Sequence, residues 1–116
     1  MNTSHPCTVI PTELALLEFF ESEPVEARPQ DGYWCYEVSD KLGVYVRLSF
    51  NILEKSVQCS LSLKGNNLET VVHEGAEELR IVDDAIHGRF CLGNTSYLEL
   101  RLRPFICVQW SSLQQF

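Results

Sequence analysis

The chain has 116 residues, of which 45% are hydrophobic, and a formal net charge of −7. This length fits a single domain over residues 1–116, and the apolar content is enough to bury a core without a metal or a disulfide. No stretch of about 18 apolar residues is present, so we expect no membrane-spanning helix and no membrane partner. The N-terminus lacks a basic segment followed by an apolar run, so we expect no secretion signal and a cytoplasmic location.

The five cysteines are expected to be reduced and structural. Their number is odd, none forms a CxxC pair, and no secretion signal points to an oxidising compartment. Cys35, Cys59 and Cys107 lie within apolar or alternating runs, where a free thiol behaves as a small hydrophobic side chain.

The negative charge is concentrated in the first third of the chain. Residues 1–40 hold eight acidic residues and one basic residue, Arg28, whereas residues 41–116 hold eight of each. Binding to phosphate backbones needs clustered Lys and Arg, which are missing, so direct nucleic-acid binding is not expected. An acidic surface would attract a basic protein partner. The alternative, that the acidic residues only keep the protein soluble, stays open.

The first predicted element is a helix. Residues 1–10 form an arm of uncertain order, and the helix occupies residues 12–22, with the Thr12 hydroxyl as its N-cap and Pro24 beyond its end. At 100° per residue, one apolar arc contains Ala15, Leu16, Leu17, Phe19 and Phe20. Glutamates occupy the opposite side of the helix, where Leu14 is the one apolar side chain out of place.

After a turn at residues 29–32 the period changes from 3.6 to 2, which is typical of half-buried strands. The predicted strands are residues 33–38, 44–52, 57–63, 68–73, 79–82, 89–92, 97–102 and 105–110. No helical pattern separates them, which excludes parallel βαβ crossovers. We therefore predict an α+β fold with one N-terminal amphipathic helix and a mostly antiparallel, meander-like sheet of about eight short strands over residues 33–110. Whether this sheet curves into a partly closed barrel stays open.

The sequence contains no catalytic or metal-binding motif. It has no GxSxG elbow and no glycine-rich phosphate loop, and the string that begins at His73-Glu74 lacks the second histidine of an HExxH motif. We interpret His5, His73 and His87 as surface or capping residues. The sequence therefore predicts a non-enzymatic protein without a metal or other cofactor.

Candidate binding residues fall into two acidic groups and one aromatic pair. The favoured site consists of Glu18, Glu21, Glu23, Glu26 and Asp31, with Trp34 and Tyr36 as anchors. The reserve acidic site consists of Glu74, Glu77, Glu78, Asp83 and Asp84. Alternation along the strand puts Trp34 and Tyr36 on one face and Tyr33 and Cys35 on the other. Either one of these faces exposes its rings to a partner, or the helix covers the face of Trp34 and Tyr36.

Three strings of the sequence carry a resemblance to a known family: RLSFNILEKSVQCSLSLKG, VVHEGAEELRI and LELRLRPFICVQWSSL. Through them, residues 33–113 resemble small bacterial immunity proteins, including those of contact-dependent growth inhibition systems. The resemblance implies a cytoplasmic inhibitor that binds and neutralises the toxin domain of its own strain. Many such toxins are nucleases with basic surfaces, which the acidic first third would suit. The resemblance assigns no role to any particular residue.

Two other functions stay open at this stage. One is a small-ligand-binding or enzymatic domain that uses a pocket in a curved sheet. The other is a homodimeric structural subunit that pairs through its sheet edges.

Overall fold

The computed structural model describes residues 9–92 and 94–112 of the chain. This part contains one α-helix, one short 3₁₀ turn and nine strands. The elements are α1 (Glu13–Phe20), β1 (Glu26–Arg28), β2 (Tyr33–Ser39), β3 (Val44–Asn51), β4 (Ser56–Leu63), β5 (Asn66–Glu74), β6 (Ala76–Val82), β7 (Ala85–Leu92), β8 (Asn94–Arg101) and β9 (Cys107–Ser112). Residues 1–8 of the predicted arm, which include His5 and Cys7, lie outside the described residues.

The strands form two sheets, in the orders β1-β2-β3-β4-β5 and β6-β7-β8-β9. All neighbouring strands within them are antiparallel. This confirms the α+β class with a helix followed by an antiparallel meander. The expectation of one sheet is corrected to two, and over the described residues each sheet keeps two edge strands, so neither closes into a barrel.

The chain passes from the first sheet to the second at Gly75, which has a φ of 75°. The N–H of Ala76 donates to the carbonyl of Lys55, and the N–H of Cys91 donates to the carbonyl of Gly75, both at 2.9 Å. These two bonds turn the chain away from the β4–β5 ladder and start the second sheet. The strand pattern is the same before and after this point, so alternation alone does not reveal the change of sheet.

One apolar core is shared by α1 and both sheets. In β3 the side chains of Val46, Leu48 and Phe50 are buried, as the alternation predicts. The second sheet contributes alternate residues in the same way, among them Phe90 and Leu98. The buried members of the core are Leu16, Phe19, Phe20, Trp34, Tyr36, Val46, Leu48, Phe50, Val57, Cys59, Ala76, Leu79, Ile86, Phe90, Leu98, Leu100 and Leu102.

Helix α1 begins as predicted, with the Thr12 hydroxyl accepting the N–H of Ala15 at 3.0 Å. It ends at Phe20, two residues before the predicted end at residue 22. Leu16, Phe19 and Phe20 are buried, whereas Leu17, which the periodicity placed in the apolar arc, is 36% exposed. The helix is therefore packed on the sheets by a narrower face than its sequence indicates.

The loop before β9 is tied to α1 and to the β2–β3 turn. A guanidinium N–H of Arg103 donates to the carbonyl of Phe19 at 3.0 Å, which caps the C-terminus of the helix. The N–H of Ile106 donates to the Asp40 carboxylate at 3.1 Å. These bonds fix the position of the helix relative to both sheets.

Asp40 holds the β2–β3 turn in shape. Its carboxylate accepts the N–H groups of Leu42 at 2.9 Å and Val44 at 3.0 Å, besides that of Ile106. Burial acts to raise the pKa of Asp40, but the hydrogen bonds from these N–H groups outweigh it and hold the pKa below its ordinary value.

We expect Asp40→Ala to lower the Tm of the protein, because three backbone N–H groups lose their acceptor. Asp40→Asn, which keeps one acceptor oxygen, should lower it less. Thermal unfolding followed by circular dichroism measures both shifts. Equal Tm values for Asp40→Ala and the unmodified chain would show that the turn does not depend on this carboxylate.

His73 is buried rather than a surface residue, which corrects the sequence interpretation. It faces the core from β5, where it pairs with Val57, and its ring stacks on Phe90 with 4.5 Å between the ring centroids. Its Nδ1 has no hydrogen-bond partner among the described residues. Burial therefore lowers the pKa of His73 below its ordinary value of 6.5.

We expect the free energy of unfolding to fall as the pH drops below about 6.5. In this range the unfolded chain protonates His73, whereas the folded chain does not. The free energy of unfolding therefore falls until the pH reaches the pKa of His73 in the folded chain. Urea unfolding at about pH 7.5 and about pH 5 measures the loss. His73→Gln should remove most of this difference, and a variant with an unchanged pH dependence would contradict the assignment to His73.

Candidate functional site

Three of the five carboxylates of the predicted site are ion-paired within the protein. Glu26 lies 2.8 Å and Asp31 lies 3.7 Å from the guanidinium of Arg28. Glu21 lies 3.5 Å from Arg103. These three carboxylates are exposed, and their pairing reduces the field that they present to a partner.

Besides Asp40, whose carboxylate accepts backbone N–H groups, three other carboxylates of the first third have no cation partner within the described residues. They are Glu13, Glu18 and Glu23, which lie on α1 or directly after it and are exposed. Of these, Glu18 and Glu23 belong to the predicted site, and Glu13 was predicted only as a helix residue. Within the first third of the chain, the unpaired carboxylates other than Asp40 therefore lie on or beside α1.

The reserve acidic site is an ion-paired network on the second sheet. Arg89 contacts Glu77 at 2.6 Å and also Glu78, and Arg80 contacts Glu78 at 2.5 Å. The Arg80 and Arg89 guanidiniums hold the pKa of Glu78 below its ordinary value. This network leaves little free charge for a partner.

The remaining members of the reserve site lie at strand ends. Asp84 pairs with Arg103 at 2.9 Å, and the hydrogen bond from Arg103 lowers the pKa of Asp84. Glu74 ends β5, and Asp83 lies in the β6–β7 turn with its carbonyl accepting from Arg101 at 3.1 Å. The members of the reserve site therefore do not form a single free acidic surface.

Trp34 and Tyr36 lie beneath α1. Trp34 is 8% exposed and Tyr36 is 2% exposed. The ring of Phe20 stacks on Tyr36 with 4.3 Å between centroids and an interplanar angle of 7°. Of the two alternatives raised from the sequence, the one in which the helix covers this face is confirmed. A direct contact of either ring with a partner stays a prediction.

Four cysteines are free in the described part of the chain. Cys35 and Cys59 are buried, as their positions in apolar runs indicate, and burial raises the pKa of the Cys59 thiol to about 11. Cys91 and Cys107 are exposed. Cys107 was predicted to pack like its two buried counterparts, but it lies on the outer face of the edge strand β9, where it has no covering layer.

A groove between α1 and β1 is the concave feature nearest to the free carboxylates. The α1–β1 groove has a volume of about 320 Å³ and is lined by Glu13, Leu14, Leu17, Glu23, Pro24, Ala27, Trp34 and Tyr36. Its walls are mainly apolar, and Glu13 and Glu23 are its acidic members. The groove thus combines two of the three free carboxylates with exposed apolar surface.

Tyr36 lines the same groove as both carboxylates. Burial, followed by the charges of Glu13 and Glu23, raises the pKa of Tyr36 to about 12. The phenol is therefore neutral at physiological pH.

Sequence reasoning identified three lining residues of this groove, Glu23, Trp34 and Tyr36. Leu14 was the signal that could have revealed the groove residues of α1, because an apolar side chain on the acidic side of a helix does not face the core. Leu14 is in fact 64% exposed. Ala27 had no comparable signal, since it lies in the short strand β1 that the pattern did not predict.

The described residues contain little that could act as a catalytic centre. Residues 9–92 and 94–112 hold no group of three or more His, Cys, Asp or Glu side chains placed to bind a metal ion. The ring of His87 lies 3.8 Å from Glu99, and neither His87 nor the buried His73 is hydrogen-bonded to a serine or cysteine side chain in this part of the chain. No helix over the same residues is long and apolar enough to cross a membrane.

No protein-family model and no curated protein matches the chain. Among solved structures, the chain is similar to one chain of a contact-dependent growth inhibition toxin–immunity protein complex from Klebsiella pneumoniae 342. The TM-score is 0.85 and the sequence identity is 28%, over 94% of this chain and 100% of that chain. This similarity confirms the resemblance to immunity proteins of contact-dependent growth inhibition systems.

Proposed function

We propose that the chain is an immunity protein that binds and neutralises a cognate toxin domain by non-covalent, non-enzymatic association. The observation that carries this proposal is the match over nearly the whole chain to a component of a toxin–immunity complex, at a TM-score of 0.85. The described residues contain few groups that could form a catalytic centre, which supports the role of the immunity protein rather than that of the toxin. The proposed site of action is the cytoplasm, where the toxin domain would meet its target.

The proposed partner is a basic toxin domain of the nuclease type. The chain has a net charge of −7, and three carboxylates without a cation partner, Glu13, Glu18 and Glu23, lie on or beside α1. A nucleic-acid-binding surface must be basic, so the two surfaces would attract each other and speed their encounter. We place the contact on α1 and the segment after it, with Glu18 and Glu23 from the sequence prediction and Glu13 added from the structure.

The test is protection of growing bacteria. The C-terminal domain of the secreted protein encoded beside this chain is expressed from an inducible promoter, with and without the chain. We expect growth arrest without the chain and growth with it, and a frame-shifted copy of the chain serves as the control. Growth arrest despite soluble expression of the chain would contradict the proposal.

A second prediction separates binding from enzymatic inactivation. When the purified chain is titrated into a fixed amount of the purified toxin domain, toxin activity should fall linearly and reach zero near one equivalent. An enzyme would inactivate the toxin at a small fraction of one equivalent, because each molecule would act repeatedly. Complete inactivation at such a fraction would overturn the non-enzymatic part of the proposal.

Of the two other functions raised from the sequence, the small-ligand-binding or enzymatic domain receives less support. A depression of about 680 Å³ lies on each sheet and is open to solvent, whereas a ligand site is typically concave, mostly apolar and able to enclose its ligand. A homodimer through sheet edges would appear as twice the monomer mass in light scattering.

A further inference from the structure

The α1–β1 groove has the composition of a receptor for one long side chain. Leu14 is 64% exposed, and Leu17 is 36% exposed on the same side of the helix. Ala27 and the edge of Trp34 form the opposite wall. Its volume of about 320 Å³ lies at the lower end of the range of ligand pockets, roughly 300–1,000 Å³. The space suits a single side chain better than a folded segment.

The polar groups of the groove select the charge of that side chain. Glu13 and Glu23 line the groove and have no cation partner among the described residues. Eight other carboxylates in this part of the chain, such as Glu26, each pair with an arginine. No Lys or Arg lines the groove. An apolar channel with two unpaired carboxylates is complementary to an aliphatic stem that ends in a cation.

Tyr36 provides an independent indication. Tyr36 is only 2% exposed, and it lines the groove. Its hydroxyl has no hydrogen-bond partner within the described residues. The hydroxyl oxygen is thus available to accept a hydrogen bond from a group that enters the groove. The groove is thus lined by three groups that can accept a hydrogen bond, Glu13, Glu23 and Tyr36.

We propose that the α1–β1 groove receives one lysine or arginine side chain of the toxin domain, with the stem against Leu14 and Leu17 and the cation between Glu13 and Glu23. This inference rests on the proposed function. It names the recognition element of that interface, a cationic side chain inserted beside α1. The indole of Trp34 adds a ring edge to the wall that the stem contacts.

The first experiment uses small probes and needs no toxin. The ¹⁵N-labelled chain is titrated with N-acetyl-arginine amide and N-acetyl-lysine amide, and with N-acetyl-norleucine amide, which has the stem without the charge. We expect saturable shifts at the amides of Leu14, Leu17 and Ala27 and at the indole of Trp34 with at least one cationic probe, and none with norleucine. Shifts that are absent, or equal for all three probes, would overturn the groove as a cation receptor.

The second experiment measures affinity for the toxin domain by calorimetry. We expect Glu13→Gln/Glu23→Gln to weaken binding by about tenfold or more, because charge-assisted hydrogen bonds are lost. Glu54→Gln/Glu69→Gln removes the same charge from residues outside the groove and should bind like the unmodified chain. Thermal unfolding checks that both variants fold.

The outcomes separate the two proposals. An unmodified chain without affinity for the toxin domain counts against the proposed function. An unmodified chain that binds, with a Glu13→Gln/Glu23→Gln variant that binds equally well, overturns the groove inference and leaves the function standing.

Discussion

Phe20→Ala is expected to lower the free energy of unfolding by about 3–5 kcal/mol. Phe20 is 4% exposed, stacks on Tyr36 and makes an edge-to-face contact with Phe19 at 5.1 Å between centroids. The substitution removes the ring that joins α1 to the first sheet. An eight-residue helix is marginal in isolation, so α1 depends on this packing for its existence. Urea unfolding followed by circular dichroism measures the loss.

Leu14→Ala is the matched control on the same helix. It removes a large apolar side chain that is 64% exposed, so we expect a change within about 0.5 kcal/mol. Equal losses from the two variants would mean that α1 is not packed by the face described above.

Reversal of the three free carboxylates, Glu13→Lys/Glu18→Lys/Glu23→Lys, is expected to reduce the association rate constant with the toxin domain by roughly 10–10³-fold at low ionic strength. The variant replaces attraction by repulsion at the surface around α1, where three carboxylates without a cation partner lie. The difference should shrink as salt is added, because the Debye length falls to about 8 Å at physiological ionic strength. Stopped-flow association kinetics at several salt concentrations measure both effects.

The control for this variant is Glu54→Lys/Glu69→Lys/Glu74→Lys. It changes the net charge equally, but its three residues are exposed at β5 and in the β3–β4 turn, away from α1. It should retain most of the association rate. Equal slowing in both triple variants would show that the net charge alone, and not its position around α1, drives the encounter.

The fold class was predictable because local chemistry determines it. The Thr12 cap and the alternation of β3 and β4 each indicate one conformation, and both are confirmed. Strand β1 was not predictable, because a three-residue strand with exposed side chains has no alternation to detect. The burial of His73 was also missed, since a lone histidine at a strand end gives no sign of which face it occupies until the register is known.

The candidate site was predictable in its charge and not in its geometry. The excess of acidic residues in the first third is a property of composition, but the ion pairs that neutralise part of it join distant residues. Glu21 meets Arg103 across 82 positions of the chain, a contact that only the folded chain defines. The sequence therefore identified the acidic region, and tertiary structure leaves the three carboxylates around α1 without a cation partner.

The groove is lined by exposed side chains of α1 and β1 together with the buried core residues Trp34 and Tyr36. Substitutions at Glu13, Leu14, Glu23 and Ala27 would therefore alter the binding surface at little cost in stability, because exposed positions seldom change stability by more than about 0.5 kcal/mol. A single scaffold of this kind allows its partner preference to diverge between strains, through altered charge and shape at a few positions. Closely related chains with identical cores and different α1 surfaces should protect against different toxins, while remaining equally stable.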